Sequence, residues 1–220
     1  MPSPTLEREQ SLWQEGYTRL AAVDEVGRGP WAGPVVAVAV VLPSTVTMAD
    51  LPGVRDSKQL TPRRRQELVP LIQSIALGYG VGLAEVAEID RINIRQATHQ
   101  AMVRALAGVM PVDHVLVDGL RVPELGEHQT WVVRGDGQCL AIACASVLAK
   151  VYRDQLMQGL AQEFPGYGWE RNSGYGTRAH QQALRQFGVT PHHRHSFRPV
   201  RVALETVGRY DRPNIHSDHA

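Results

Sequence analysis

The chain has 220 residues, 43% of them hydrophobic, and a formal net charge of +1. That length holds one large domain or two small ones, and that apolar fraction excludes wholesale disorder. The near-zero charge excludes a uniformly basic, histone-like binder, so any nucleic-acid surface must come from local clustering of cations. Of the 23 basic residues, only Lys58 and Lys150 are lysines. Cys139 and Cys144 are five apart, which suits neither a CxxC redox pair nor a zinc knuckle. Two small buried thiols in a reducing compartment are expected. The opening MPSPTLEREQSLW has no signal-peptide core, and the longest apolar run, 31–42, is too short to span a bilayer. A soluble, cytoplasmic protein is expected.

In chain order, residues 5–16 predict a short polar helix ending at Gly16, and 18–24 a strand followed by the turn-rich GRGPWAGP. The run 35–42 (VVAVAVVL) has the continuous apolar pattern of a strand buried on both faces. Thr61 and Pro62 supply an N-cap and a first helical residue for a helix over 62–76, and a strand follows at 78–85. Asn93 caps a helix to about 108; 113–117 and 129–133 read as short strands. A long Ala/Leu helix over 139–163 stops at Pro165-Gly166, and 177–187 forms another helix. The order predicts a mixed α/β core with a helical C-terminal part. Its expected divisions are an N-terminal helix (1–16), a catalytic domain (17–207, helical from about 165) and a flexible tail (208–220).

Asp24, Glu25, Asp118 and Asp136 stand where strands or apolar segments end, beside glycines that let the backbone turn. Neighbouring strand residues point to opposite faces, so Asp24 and Glu25 converge only if the strand bends or stops there. Several carboxylates without a His or Cys at ligand spacing make a hard-oxygen site, suited to Mg²⁺ or Mn²⁺ rather than zinc. A pair of such ions is competent for phosphodiester hydrolysis.

The segment AVDEVGRGPWAGPVVAVAVVL, followed by DSKQL, VDG, GDGQCLAIACASVLAKVYRD, GYG…SGYGTRAH and GVTPHHRHSFRPV, resembles ribonuclease HII, the bacterial type 2 ribonuclease H, across about 17–200. The resemblance implies an α/β, RNase H-like mixed sheet flanked by helices, with a C-terminal helical extension. It implies a monomer that hydrolyses the RNA strand of RNA–DNA hybrids, and single ribonucleotides embedded in duplex DNA, leaving 3′-hydroxyl and 5′-phosphate ends. The family's metal-binding acids fall on Asp24, Glu25, Asp118 and Asp136, its ribose-reading GRG on Gly27, Arg28 and Gly29, and its junction-sensing tyrosine on Tyr175. One departure is Gln138, in GDGQC, where the family commonly has a lysine shortly after the acid.

Telling RNA from DNA requires contact with the 2′-hydroxyl. Gly27 and Gly29 let the backbone approach a sugar, and Tyr175 between glycines either meets that sugar or packs half-buried. Ser146, Lys150 and Arg153 share a helix face that either grips phosphates or is simply solvated. Lys58 and the nearby Arg55 are further phosphate candidates. Asp154 reads most plainly as an ion pair with Lys150, the run 63–65 as facing nucleic acid or solvent, and HHRH (192–195) as a solvated or phosphate-facing basic loop.

Overall fold

Runs of small and β-branched residues build a five-stranded sheet in the computed structural model, which describes residues 3–207. The tail expected from 208 lies outside the described residues. The elements are α1 (Glu7–Gln14), β1 (Leu20–Val26), β2 (Val35–Val41), α2 (Pro62–Ile75), β3 (Gly78–Ala84), α3 (Val86–Ala107), β4 (His114–Asp118), β5 (Gln129–Val132), α4 (Leu140–Glu163), α5 (Trp169–Asn172), α6 (Arg178–Phe187) and α7 (Arg198–Val207). The sheet order is β3-β2-β1-β4-β5, antiparallel from β3 to β1 and parallel from β1 to β5. This is the mixed sheet flanked by helices that the sequence predicts.

β2 is buried along its whole length because helices cover both faces. On one face Ala22, Val38, Val40 and Leu116 pack with α4; on the other Val23, Ala37, Ala39 and Val117 pack with α3. A third cluster, with Met157, Tyr167, Trp169 and Leu184, seats the C-terminal helices. The start of α1 is tied down by Glu9, whose carboxylate accepts the Ala141 N–H at 2.8 Å in the first turn of α4, where the helix dipole favours negative charge. Cys139 and Cys144 are buried free thiols, and burial pushes Cys139 up to about 12, so neither behaves as a nucleophile near neutrality. Among the described residues, no helix is long and apolar enough to cross a membrane.

Two elements differ from the sequence expectation. β1 continues to Val26 rather than stopping at 24, still paired through Val26↔Val36. α3 begins at Val86, a full segment early, and breaks at Asn93 (φ 70°), whose side chain accepts the N–H groups of Arg95 and Gln96. Asn93 is thus the expected cap, preceded by a short helical segment over 86–92 that carries no cap signal of its own. The short α5 and the amphipathic α7 complete the helical C-terminal part.

Candidate active site

The register Val23↔Val117 of parallel β1 and β4 places Asp24 and Asp118 side by side, one residue further along. Both share the parity of Ala22 and Leu116 and so face α4. Glu25 has the opposite parity, yet its longer side chain reaches round the end of the sheet. Carboxylate oxygens of Asp24, Glu25 and Asp118 all lie within 4.8 Å of one another. The strand therefore need not stop at Asp24 for the two neighbouring acids to converge.

Asp118 is aimed by the Gly135 N–H, which donates to its Oδ1 at 2.6 Å. A Cβ on Gly135 would fall 2.6 Å from Ile142 Cδ1 and 3.2 Å from that same oxygen, so a side chain there would crowd both. Asp136 sits in the 3-10 turn that follows and is bound by Lys58 at 3.3 Å. It flanks the three-acid group rather than joining it. Gln138 donates to the carbonyls of Val133 and Arg134, bracing this turn, while Lys58 supplies the cation beside the acid. Behind Asp24, the Ser146 and Ser57 hydroxyls are 2.9 Å apart.

Burial raises the Asp24 carboxyl well above its ordinary range, and the charges of Glu25 and Asp118 add to this, with a Ser146 hydrogen bond opposing. Burial also raises Glu25 and Asp136, against the pull of Arg28 and Lys58 respectively. Burial disfavours the Lys58 charge, but Asp136, Asp56 and Asp24 outweigh it and hold that ammonium above its usual value. Acids crowded in this way repel one another unless positive charge is brought in. The donors are all carboxylate oxygens, the set that suits a hard divalent cation. On chemistry and spacing, the residues fit Mg²⁺ or Mn²⁺.

Beside the acids, the 27–34 loop meets the turn that carries Tyr175. Gly27 has φ 93°, and a Cβ there would fall 2.1 Å from Arg153 Nε. A Cβ on Gly29 would lie 3.5 Å from the Tyr175 ring, which is 48% exposed. The exposed Arg28 pairs with Glu25 at 3.2 Å.

Several cations are placed elsewhere than expected. Ser146 and Arg153 are buried, which corrects their assignment to phosphate contacts. Arg153 donates to the carbonyls of Pro34, Ser173 and Ala32, so each of its three nitrogens is engaged inside the protein. Lys150 does pair with Asp154, at 2.7 Å, and Ser173 Oγ donates to the same carboxylate at 3.1 Å. Arg65 is also buried, against the carbonyls of Ser57 and Leu60, whereas Arg63 and Arg64 pair with Glu67.

The HHRH run is neither solvated nor phosphate-facing at its centre: His193 and Arg194 are fully buried. Thr190 N–H donates to His193 Nδ1 at 3.0 Å, leaving the proton on Nε2 to bridge to His180 Nε2 at 3.0 Å. His180 Nδ1 then donates to the Tyr175 carbonyl at 3.0 Å. Burial, and next the His180 charge, pull His193 down to about 3. An unfolded histidine binds its proton near 6.5, so between about 6.5 and 3 the unfolded state holds more protons. Stability present above this window is lost as pH falls through it. Thermal melts from pH 7 to 4 should show this decline, and a shallower one in His193→Gln; equal slopes would remove His193 as the cause.

A mixed sheet with helices on both faces and acids on its central parallel strands defines an RNase H-like protein. The ribonuclease H2 from Pyrococcus horikoshii OT3 is similar in structure, with TM-score 0.71 and 26% identity, covering 87% of this chain and 100% of that one. A mutant form of Bst-RNase HIII shares the fold, with TM-score 0.66 and 18% identity over 88% of this chain and 71% of that one. The family model for Ribonuclease HII matches residues 21–200. A Ribonuclease HII of Synechococcus sp. (strain JA-3-3Ab) is 54% identical over 198 residues, 90% of each chain. One of Rhodospirillum rubrum is 57% identical over 189 residues, 84% of this chain and 87% of that one. The chain belongs to the ribonuclease HII family and is a ribonuclease H.

Proposed function

We propose that this ribonuclease H, an endonuclease acting on the RNA strand of RNA–DNA hybrids, also cuts at single ribonucleotides embedded in duplex DNA and works with two divalent cations, Mg²⁺ or Mn²⁺. The single observation that carries the reading is the convergence of Asp24, Glu25 and Asp118 oxygens within 4.8 Å. These three acids would hold the cations, with Asp136 as the fourth ligand once released from Lys58. Such ions supply the positive charge that lowers the pKa of an attacking water and neutralises the departing 3′-oxygen. Water adds to phosphorus as the bond to the 3′-oxygen breaks, giving 3′-hydroxyl and 5′-phosphate ends.

The remaining groups bind and orient. The Gly27, Arg28 and Gly29 backbone meets the 2′-hydroxyl, and Tyr175 packs against the adjoining sugar. Exposed Lys58 and Arg28 lie beside the acids, where they would meet phosphates. Contacts of this kind ignore base identity, so affinity should fall with salt while sequence preference stays weak. Lys150 is a weaker phosphate candidate, because Asp154 already holds its ammonium.

The test is a gel assay on three duplexes: all-DNA, one-ribonucleotide and long hybrid. With Mg²⁺ or Mn²⁺, the last two should be cut and the first left intact, and a chelator should abolish every product. Cutting that persists in the chelator, or an intact one-ribonucleotide duplex in Mn²⁺, contradicts the reading.

A further inference from the structure

Arg194 is fully buried and makes no direct ion pair among the described residues. Burial pulls its guanidinium down to about 9, so it stays charged at neutral pH. A charge kept inside without a counter-ion is destabilising unless its donors are well used. Here all the acceptors are carbonyls of one loop. Nε donates to Gly33 O at 3.0 Å, Nη1 to Arg28 O at 2.9 Å, and Nη2 to Gly27 O at 2.5 Å and Gly33 O at 2.8 Å. The guanidinium also lies over the Phe197 ring, 5.1 Å from its centroid.

Those peptide bonds are trans, and in a trans peptide the carbonyl and the next residue's N–H point in opposite directions. Pulling the Gly27 and Arg28 carbonyls towards Arg194 therefore turns the N–H groups of Arg28 and Gly29 away from it. Neither N–H has a partner among the described residues. Gly33 is followed by Pro34, so the third carbonyl exposes no donor. The neighbouring His193 acts on the other wall, reaching the Tyr175 carbonyl through His180. The segment is laced to the loop as well: Arg194 N–H donates to Trp31 O at 2.8 Å and Gly33 N–H to His192 O at 2.9 Å.

We propose that Arg194 is a positioning residue for ribose recognition, which by pinning two carbonyls presents the Arg28 and Gly29 N–H groups as a fixed pair of donors to the 2′-hydroxyl oxygen. A hydroxyl oxygen has two lone pairs and accepts both. Arginine is needed because one rigid fork must hold three carbonyls at set angles, which the single ammonium of lysine does not do. The inference rests on the reading of Gly27–Gly29 as the ribose-sensing backbone.

The test compares wild type, Arg194→Lys and Arg194→Gln for binding to a one-ribonucleotide duplex and to the same duplex in all-DNA form, with Ca²⁺ replacing Mg²⁺ to hold off turnover. Cooperative melting of each variant is checked first. In a folded variant, the preference for the ribonucleotide duplex should fall about tenfold, the loss of one or two ordinary hydrogen bonds, while all-DNA affinity and its salt slope stay as in wild type. A merely structural role would leave that ratio alone. Unchanged preference in a folded variant overturns the proposal, and loss of cooperative folding in both variants does so too, by assigning Arg194 to folding alone. A wild type that shows no preference would instead overturn the ribose-sensing reading itself.

Discussion

Asp24→Asn should melt at a higher temperature than wild type in the absence of divalent cations and cut at least about a thousandfold more slowly in their presence, the rate equivalent of about 4 kcal/mol of lost charge stabilisation. Both effects come from one carboxylate. Asp24 is buried beside Glu25 and Asp118, and its carboxyl is raised well above the ordinary range. A raised acid binds its proton more tightly folded than unfolded, so between the two pKa values stability falls as pH rises. Above its ordinary titration range the carboxyl therefore costs the fold stability, and the isosteric neutral amide relieves that. The gain should be on the order of 3 °C for each kcal/mol relieved. Melts with chelator present, paired with single-turnover cleavage of a hybrid, measure the two effects. A variant that keeps normal turnover would remove Asp24 from the chemistry, and one that melts lower would show the cluster not to be self-repelling.

Tyr175→Ala should reduce cleavage at a single ribonucleotide by roughly ten- to hundredfold, on the scale of about 1–3 kcal/mol for an aromatic packed against nucleotide, with a smaller loss on long hybrids. The ring is 48% exposed, so truncation opens no deep cavity and the melting temperature should change little. Its fixed parts are main-chain: the Tyr175 carbonyl accepts from His180 and its N–H donates to Asn172 O. The ring is thus free to meet substrate while the backbone stays anchored. Tyr175→Phe separates ring from hydroxyl, since only the latter is lost. If Tyr175→Ala instead unfolds the protein, or slows both substrates equally, the tyrosine is a packing residue.

The strands and the acids are legible in the sequence because they depend on local pattern: VVAVAVV has one reading, and the acids follow apolar runs. Their convergence is less so, since it arises from the β1–β4 register, a pairing of residues some ninety positions apart, roughly the separation of Val23 and Val117. The buried arginines escape a sequence reading for a general reason. Arg153, Arg194 and Arg65 look like surface cations, because charge normally stays in water. Only the fold reveals that carbonyls in loops and short turns recruit them. His193 is hidden likewise, in a run whose neighbours suggest a basic loop. Asn93 shows the opposite case: its cap is visible, but the helical segment before it is too short to show a helical period and starts at Glu85 without a side-chain cap.

The central claim is that Asp24, Glu25 and Asp118 together hold divalent cations, and Mn²⁺ binding followed by electron paramagnetic resonance tests it most directly. Titrated into the wild-type protein, Mn²⁺ should lose its free-ion signal, and Asp118→Asn, folded by its melt, should leave that signal in place. Equal Mn²⁺ uptake by the two proteins would contradict the account.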